Sequence, residues 1–138
     1  MSDKLIKLKV VTPVNVLFDG EVKSFIVKTK GEVGEFAVLA DHMPMTATVG
    51  NGTLVLNFAD ESEKRMTLFE GYCVVQNNNA VIIVEAGERP EDIDVERAEK
   101  AKKRAEERLD KGGEGLDRNR AEQALFRSIT RLELYKSK

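Results

Sequence analysis

The hydrophobic period of this chain changes once, at Pro90, and that change constrains the fold more than any other feature. Before Pro90, apolar residues recur at every second position in short runs bounded by turn residues; after it they recur at every third or fourth. A period of two belongs to strands with one buried face, and a period near 3.6 to helices with one buried stripe. The 138 residues therefore divide into a strand-rich part, 1–90, and a helical part, 91–138. That length allows one modest core and excludes two large domains.

In the first part, Ile6, Leu8 and Val10 alternate with Lys7 and Lys9 as a half-buried strand does. Val14, Val16 and Phe18 carry a second series to Asp19-Gly20, where a hairpin reversal is expected. Residues 22–29 return from it to a turn at Lys30-Gly31, and residues 34–44 form an apolar strand closed by Pro44. Gly50-Asn51-Gly52 reads as a turn. Leu54, Leu56 and Phe58 lead to a charged tip, and Met66 to Phe69 return from it. Gly71 is expected to break that run, Tyr72 to Val75 to resume it, and residues 80–85 to supply the last strand after a turn at 76–79. About ten short strands with regular turns predict an antiparallel β-sandwich or barrel.

In the second part, helices are expected over about 92–110 and 117–136, joined as a hairpin through Gly112-Gly113-Glu114-Gly115. Ala98, Ala101, Ala105 and Leu109 give the first helix a stripe of small residues. Ala121, Ala124, Leu125, Ser128, Ile129 and Leu132 are the expected buried stripe of the second, and Asp117 its cap.

Charge and cysteine usage narrow the function classes. The net charge of −2 gives no reason to expect a nucleic-acid binder, which needs clustered excess base. The average hides a split, since residues 1–90 carry 9 Lys and Arg against 12 Asp and Glu, while residues 91–138 carry 13 against 12. The last helix is the basic surface. Cys73 is the only cysteine and His42 the only histidine, so an internal disulfide or a Cys-based zinc site is impossible and no metal-ligand spacing stands out. A lone cysteine and no apolar leader run at Met1 to Lys4 fit a reducing, intracellular setting.

A phosphate loop is not visible, because neither Gly31-x-x-Gly34 nor Gly112-Gly113-x-Gly115 leads into Gly-Lys-Ser/Thr. A nucleotide would have to be held by arginines, whose guanidinium groups clamp phosphate oxygens. Arg97 and Arg104 lie seven apart on the first helix, Arg127 and Arg131 four apart on the second, and a folded hairpin could bring all four together around an anion. The same arginines also fit a plain solvated surface. Asp94 likewise fits two roles: a ligand paired with Arg97 three residues on, or a cap for the helix that starts there.

With Gly34-Glu35-Phe36, Asp41-His42-Met43-Pro44, Glu70-Gly71-Tyr72 and Glu91-Asp92-Ile93-Asp94 in this order, the chain resembles the epsilon subunit of bacterial F-type ATP synthase over essentially its whole length. The family pattern more often reads Pro-Gly-His at Ala40-Asp41-His42 and Gly-Gly at Glu70-Gly71. The resemblance implies an N-terminal sandwich of two five-stranded sheets followed by two helices, in a non-catalytic rotor subunit on the cytoplasmic face of the cell membrane. It implies partners in the gamma subunit, the ring of c subunits and the catalytic alpha and beta subunits. Glu35 and His42 would lie near the ring, and Arg118, Arg120, Arg127 and Arg131 would meet an acidic segment of the catalytic head. Some relatives bind ATP, without turnover or a required metal, through Ile/Leu-Asp-x-x-Arg-Ala. That motif is complete here as Ile93-Asp94-Val95-Glu96-Arg97-Ala98, with Glu88, Arg104, Arg127 and Arg131 matching the further positions. Two other classes stay in view: a small phosphohydrolase with Asp94 or Glu88 as base, and a nucleic-acid module built on the last helix.

Overall fold

The computed structural model describes residues 4–29, 34–113, 115 and 117–136. The expected turn at Lys30-Gly31, Glu114 of the linker and Lys138 lie outside them. Eight strands come first: β1 (Ile6–Val11), β2 (Val16–Val22), β3 (Ser24–Thr29), β4 (Glu35–Leu39), β5 (Met45–Val49), β6 (Gly52–Asn57), β7 (Glu63–Gln76) and β8 (Asn79–Glu88). A single 3₁₀ turn, Pro90–Asp92, leads to α1 (Val95–Lys111) and α2 (Arg118–Lys136).

Strands β7 and β8 belong to both layers of the sandwich. On one edge of β7, residues 63–68 pair with β6 and residues 71–75 with β5. On the other edge, residues 67–69 pair with the end of β8 and residues 71–76 with its beginning, which also pairs in parallel with β1. One layer is thus β2-β1-β8-β7-β5 and the other β4-β3-β6-β7-β8, five strands each. Counted once in each layer, β7 and β8 give ten strand positions from eight strands, fewer than the roughly ten separate strands expected. Ile6, Leu8, Val10, Phe25, Val27, Leu54, Leu56, Leu68, Cys73 and Ile82 from both layers form one buried core. Burial pushes the Cys73 thiol up to about 11. A thiolate-specific reagent such as DTNB is expected to leave Cys73 unmodified in the native chain and to label it in denaturant; rapid native labelling would contradict this packing.

Four expectations are corrected. Asp19-Gly20 is not a reversal: both residues lie inside β2, Asp19 opposite Lys9 and Gly20 opposite Leu8. The chain turns instead at residues 12–15, where Pro13 donates no hydrogen bond and the Thr12 amide donates to Asn15 O at 2.9 Å. Gly71 does not break its strand but lies within β7. Met45–Val49 adds a strand absent from the sequence reading. Helix α1 begins later than residue 92, after Asp94, whose carboxylate accepts from the Arg97 amide at 3.0 Å. By contrast, the turn at Asn77-Asn78 has two positive φ angles, 51° and 59°, as a tight two-residue hairpin requires.

Two further non-glycine residues with positive φ stand where the resembled pattern has glycine: Asp41 (65°) and Glu70 (47°). Asp41 is held by its neighbours: Asn78 Nδ2 at 3.1 Å and Lys4 Nζ at 3.1 Å both donate to its carboxylate. The Asn78 hydrogen bond first, and the Lys4 one next, hold the carboxyl below 3.8.

The helical hairpin lies on the sandwich through α2, which packs on α1 on one side and on β6 and β7 on the other. Alternation puts Leu54, Leu56 and Leu68 in the core and turns Val55 and Phe69 to the outer face, where both are nevertheless buried. Helix α2 consequently buries two faces. Ala121, Ser128 and Leu132 of the expected stripe are buried, Leu125 and Ile129 are half-buried and Ala124 is exposed, while Thr130 and Leu134 are buried outside that stripe. A single-stripe reading of the periodicity sees only one of two partners. At the N-terminal end of α2, the Asn51 side-chain amide donates to Gln123 Oε1 and ties the helix to the sandwich.

Candidate functional site

Where α1 begins beside the end of β8, a cleft of about 710 Å³ opens between the two parts of the chain. Sites for small molecules commonly enclose about 300–1,000 Å³. Glu88 enters from β8, Asp92 from the 3₁₀ turn, Asp94, Glu96, Arg97, Ala98, Lys100, Ala101 and Arg104 from α1, and Arg131 from α2. The spacing of α1 explains its share: residues 94, 97, 101 and 104 follow one another at three and four and so face one way. Ala98 and Ala101 keep the wall low, which leaves room above it.

Six of the eight predicted nucleotide-binding residues thus come together: Glu88, Asp94, Arg97, Ala98, Arg104 and Arg131. Ile93 does not line the cleft; it is buried, as an anchor for the turn into α1. Arg127 does not line it either. One turn before Arg131 on α2, its guanidinium lies 5.5 Å from the Phe69 ring centroid, with Nη2 3.5 Å from Glu85 Oε2 and 3.8 Å from Glu70 Oε2. Arg131 shares the same ring at 4.8 Å, and its Nε donates to Glu88 Oε1. Phe69, Glu70, Glu85 and Lys100 were not legible as site residues. Only Lys100 carries a sequence signal, being one turn beyond Arg97.

The charges of the cleft are unevenly committed. Glu88 is taken by Arg131, Asp92 by Arg89 at 3.1 Å, Glu96 by Lys100 at 3.2 Å, and Asp94 by the Arg97 amide. The guanidinium groups of Arg97 and Arg104 have no carboxylate partner among the described residues. Two such cations over a small-residue wall form a donor set suited to phosphate oxygens. Among the described residues no group of three His, Cys, Asp or Glu is placed to hold a metal ion.

The other predicted contacts are dispersed. Glu35 opens β4 and His42 follows its other end, in the turn where its amide donates to Leu39 O. Arg118 pairs with Glu122 at 3.5 Å, and Arg120 lines a groove between the helices. Arg127 and Arg131 face the sandwich rather than solvent partners.

Comparison with known proteins agrees with this architecture. Residues 5–90 match the β-sandwich domain of ATP synthase delta/epsilon chains, and residues 91–136 match their long α-helix domain. The chain belongs to the ATP synthase delta/epsilon chain family. It is 40% identical to the ATP synthase epsilon chain of Shouchella clausii over 96% of each sequence. Identity to the epsilon chain of Clostridium novyi is 41%, over 95% of this chain and 98% of that one. A chain of the Euglena gracilis mitochondrial ATP synthase superposes with a TM-score of 0.80 at 22% identity, over 96% of this chain and 84% of that one. As a delta/epsilon chain it is a non-catalytic subunit of ATP synthase. Among the described residues no helix is long and apolar enough to cross a membrane.

Proposed function

We propose that this subunit sits in the central stalk between the membrane rotor ring and the catalytic head, and that its helical hairpin is a regulatory lever retained on the sandwich by bound ATP. In this reading the sandwich contacts gamma and the c-ring, Glu35 and His42 at the ring side. The helices restrain ATP hydrolysis when released toward the alpha and beta subunits. The observation that carries the ATP half is the pair Arg97 and Arg104, two cations without carboxylate partners among the described residues, both lining one cleft. Glu88, Asp94 and Ala98 complete its wall, and Arg131 reaches the same cleft from the second helix.

ATP would bridge α1 to α2 and to β8, so its binding energy favours the docked hairpin over any state in which these elements separate. The basic end of α2 fits the released state. There Arg118, Arg120, Arg127 and Arg131 would meet acidic surface, an attraction that salt weakens.

Calorimetric titration of the full chain with ATP tests the reading. Binding is expected to shift NMR resonances on both helices and to weaken as salt is raised. Absence of binding at millimolar ATP would remove the sensor and leave a coupling subunit whose helices answer only to protein partners. One observation favours that second reading: Asp94 already serves α1 as its N-cap, which accounts for part of the motif without a ligand.

A further inference from the structure

Arg127 does not line the cleft and lies beside two glutamates whose arrangement costs the fold something. The flanking ladder pairs, Phe69 with Ala86 and Gly71 with Val84, set Glu70 opposite Glu85 across β7 and β8. Like charges directly opposite on adjacent strands repel. Glu70 also adopts φ 47°, a left-handed conformation unfavourable for a side chain of its size. Both carboxylates reach Nη2 of Arg127, at 3.8 and 3.5 Å, while the Nε of Arg127 is buried without a hydrogen-bond partner among the described residues. Arg127 is thus partly satisfied where it lies and one helical turn from Arg131, which does line the cleft.

We infer that Glu70 and Glu85 are counter-ligands of Arg127: they compete with the phosphates of the bound nucleotide for its guanidinium and thereby set the affinity of the site. This rests on the ATP reading. Moving Arg127 across the Phe69 ring to the cleft supplies a phosphate donor but leaves two opposed carboxylates without the cation between them. Nucleotide affinity is lowered by that loss. The Phe69 ring lies between the two positions, with Arg127 5.5 Å and Arg131 4.8 Å from its centroid.

The experiment is an ATP titration, by calorimetry and by NMR, of the full-length wild type, Glu70→Gln, Glu85→Gln and the double variant. The same double change is also made in a chain carrying Arg127→Gln. Each single change is expected to tighten ATP binding roughly threefold and the double change about tenfold, the scale of partly exposed ion pairs. The gain is expected to vanish in the Arg127→Gln chain. Wild-type binding left unchanged by the glutamate substitutions would overturn the counter-ligand role while the ATP reading stands. A gain that persists with Arg127→Gln would overturn it too, since it would then be long-range charge. Binding seen only in the glutamate variants would support it in its strongest form. No binding in any chain would overturn both.

Discussion

Gly71→Ala is expected to lower the stability of the chain by about 3 kcal/mol or more and its Tm by about 10 °C. A Cβ at this position would lie 1.9 Å from the Ile83 carbonyl oxygen and 2.7 Å from Val84 Cα, both backbone atoms of the neighbouring strand. A flexible side chain could move aside, but a strand backbone cannot do so without breaking the ladder. Gly71 pairs with Val84 on one edge and Val49 on the other, in the strand common to both layers, so relaxation would be felt in β5 and β8 together. Gly112→Ala is the contrast: nothing lies within 4 Å of its Cβ, and only its φ of 58° opposes the change. That substitution is expected to cost about 1 kcal/mol. Thermal melts of the two variants measure the difference. Equal, small losses would mean that β7 and β8 are not so closely apposed at this point.

The sandwich was legible because half-buried strands write their inner face into the sequence. Ile6, Leu8 and Val10 alternate, and all three are fully buried. What local alternation does not encode is which layer a strand joins. Long β7 reads as two short strands, since Gly71 between its apolar runs looks like punctuation, and only the middle of β8 is legible. The reversal was misplaced for a related reason: Asp19-Gly20 has turn composition, but Thr12 and Asn15 bond their own backbone and side chains and win the turn.

The candidate site divides in the same way. Asp94, Arg97, Arg104 and Arg131 follow from helical spacing, and the resemblance added Glu88 and Ala98. Arg127 illustrates the limit. Its spacing from Arg131 places it on the correct face of α2, yet its partners, Phe69, Glu70 and Glu85, come from strands more than 40 residues earlier in the chain. No local pattern announces a competing contact of that kind. It is also the contact that decides whether the residue is available to a ligand.

Arg97→Ala and Arg104→Ala are each expected to weaken ATP binding by roughly 10- to 100-fold, because a charge-assisted hydrogen bond contributes about 1.5–3 kcal/mol and 1.4 kcal/mol is tenfold. Neither change should disturb the fold. The Arg97 side chain takes no part in capping; it is the Arg97 amide that donates to Asp94, and alanine retains that amide and favours helix. Arg97→Lys should fall between, keeping the charge but losing the planar fork. Asp94 needs a different substitution, since Asp94→Ala would remove the cap, at a cost of about 1 kcal/mol, along with the carboxylate. Asp94→Ser keeps an N-cap oxygen and removes only the charge, so any change in affinity beyond that of helix stability belongs to the ligand. ATP affinities unchanged in Arg97→Ala and Arg104→Ala, with circular dichroism showing intact helices, would exclude the cleft as the nucleotide site. If both weaken while Asp94→Ser does not, the cleft binds phosphate through its arginines, and the aspartate serves the helix alone.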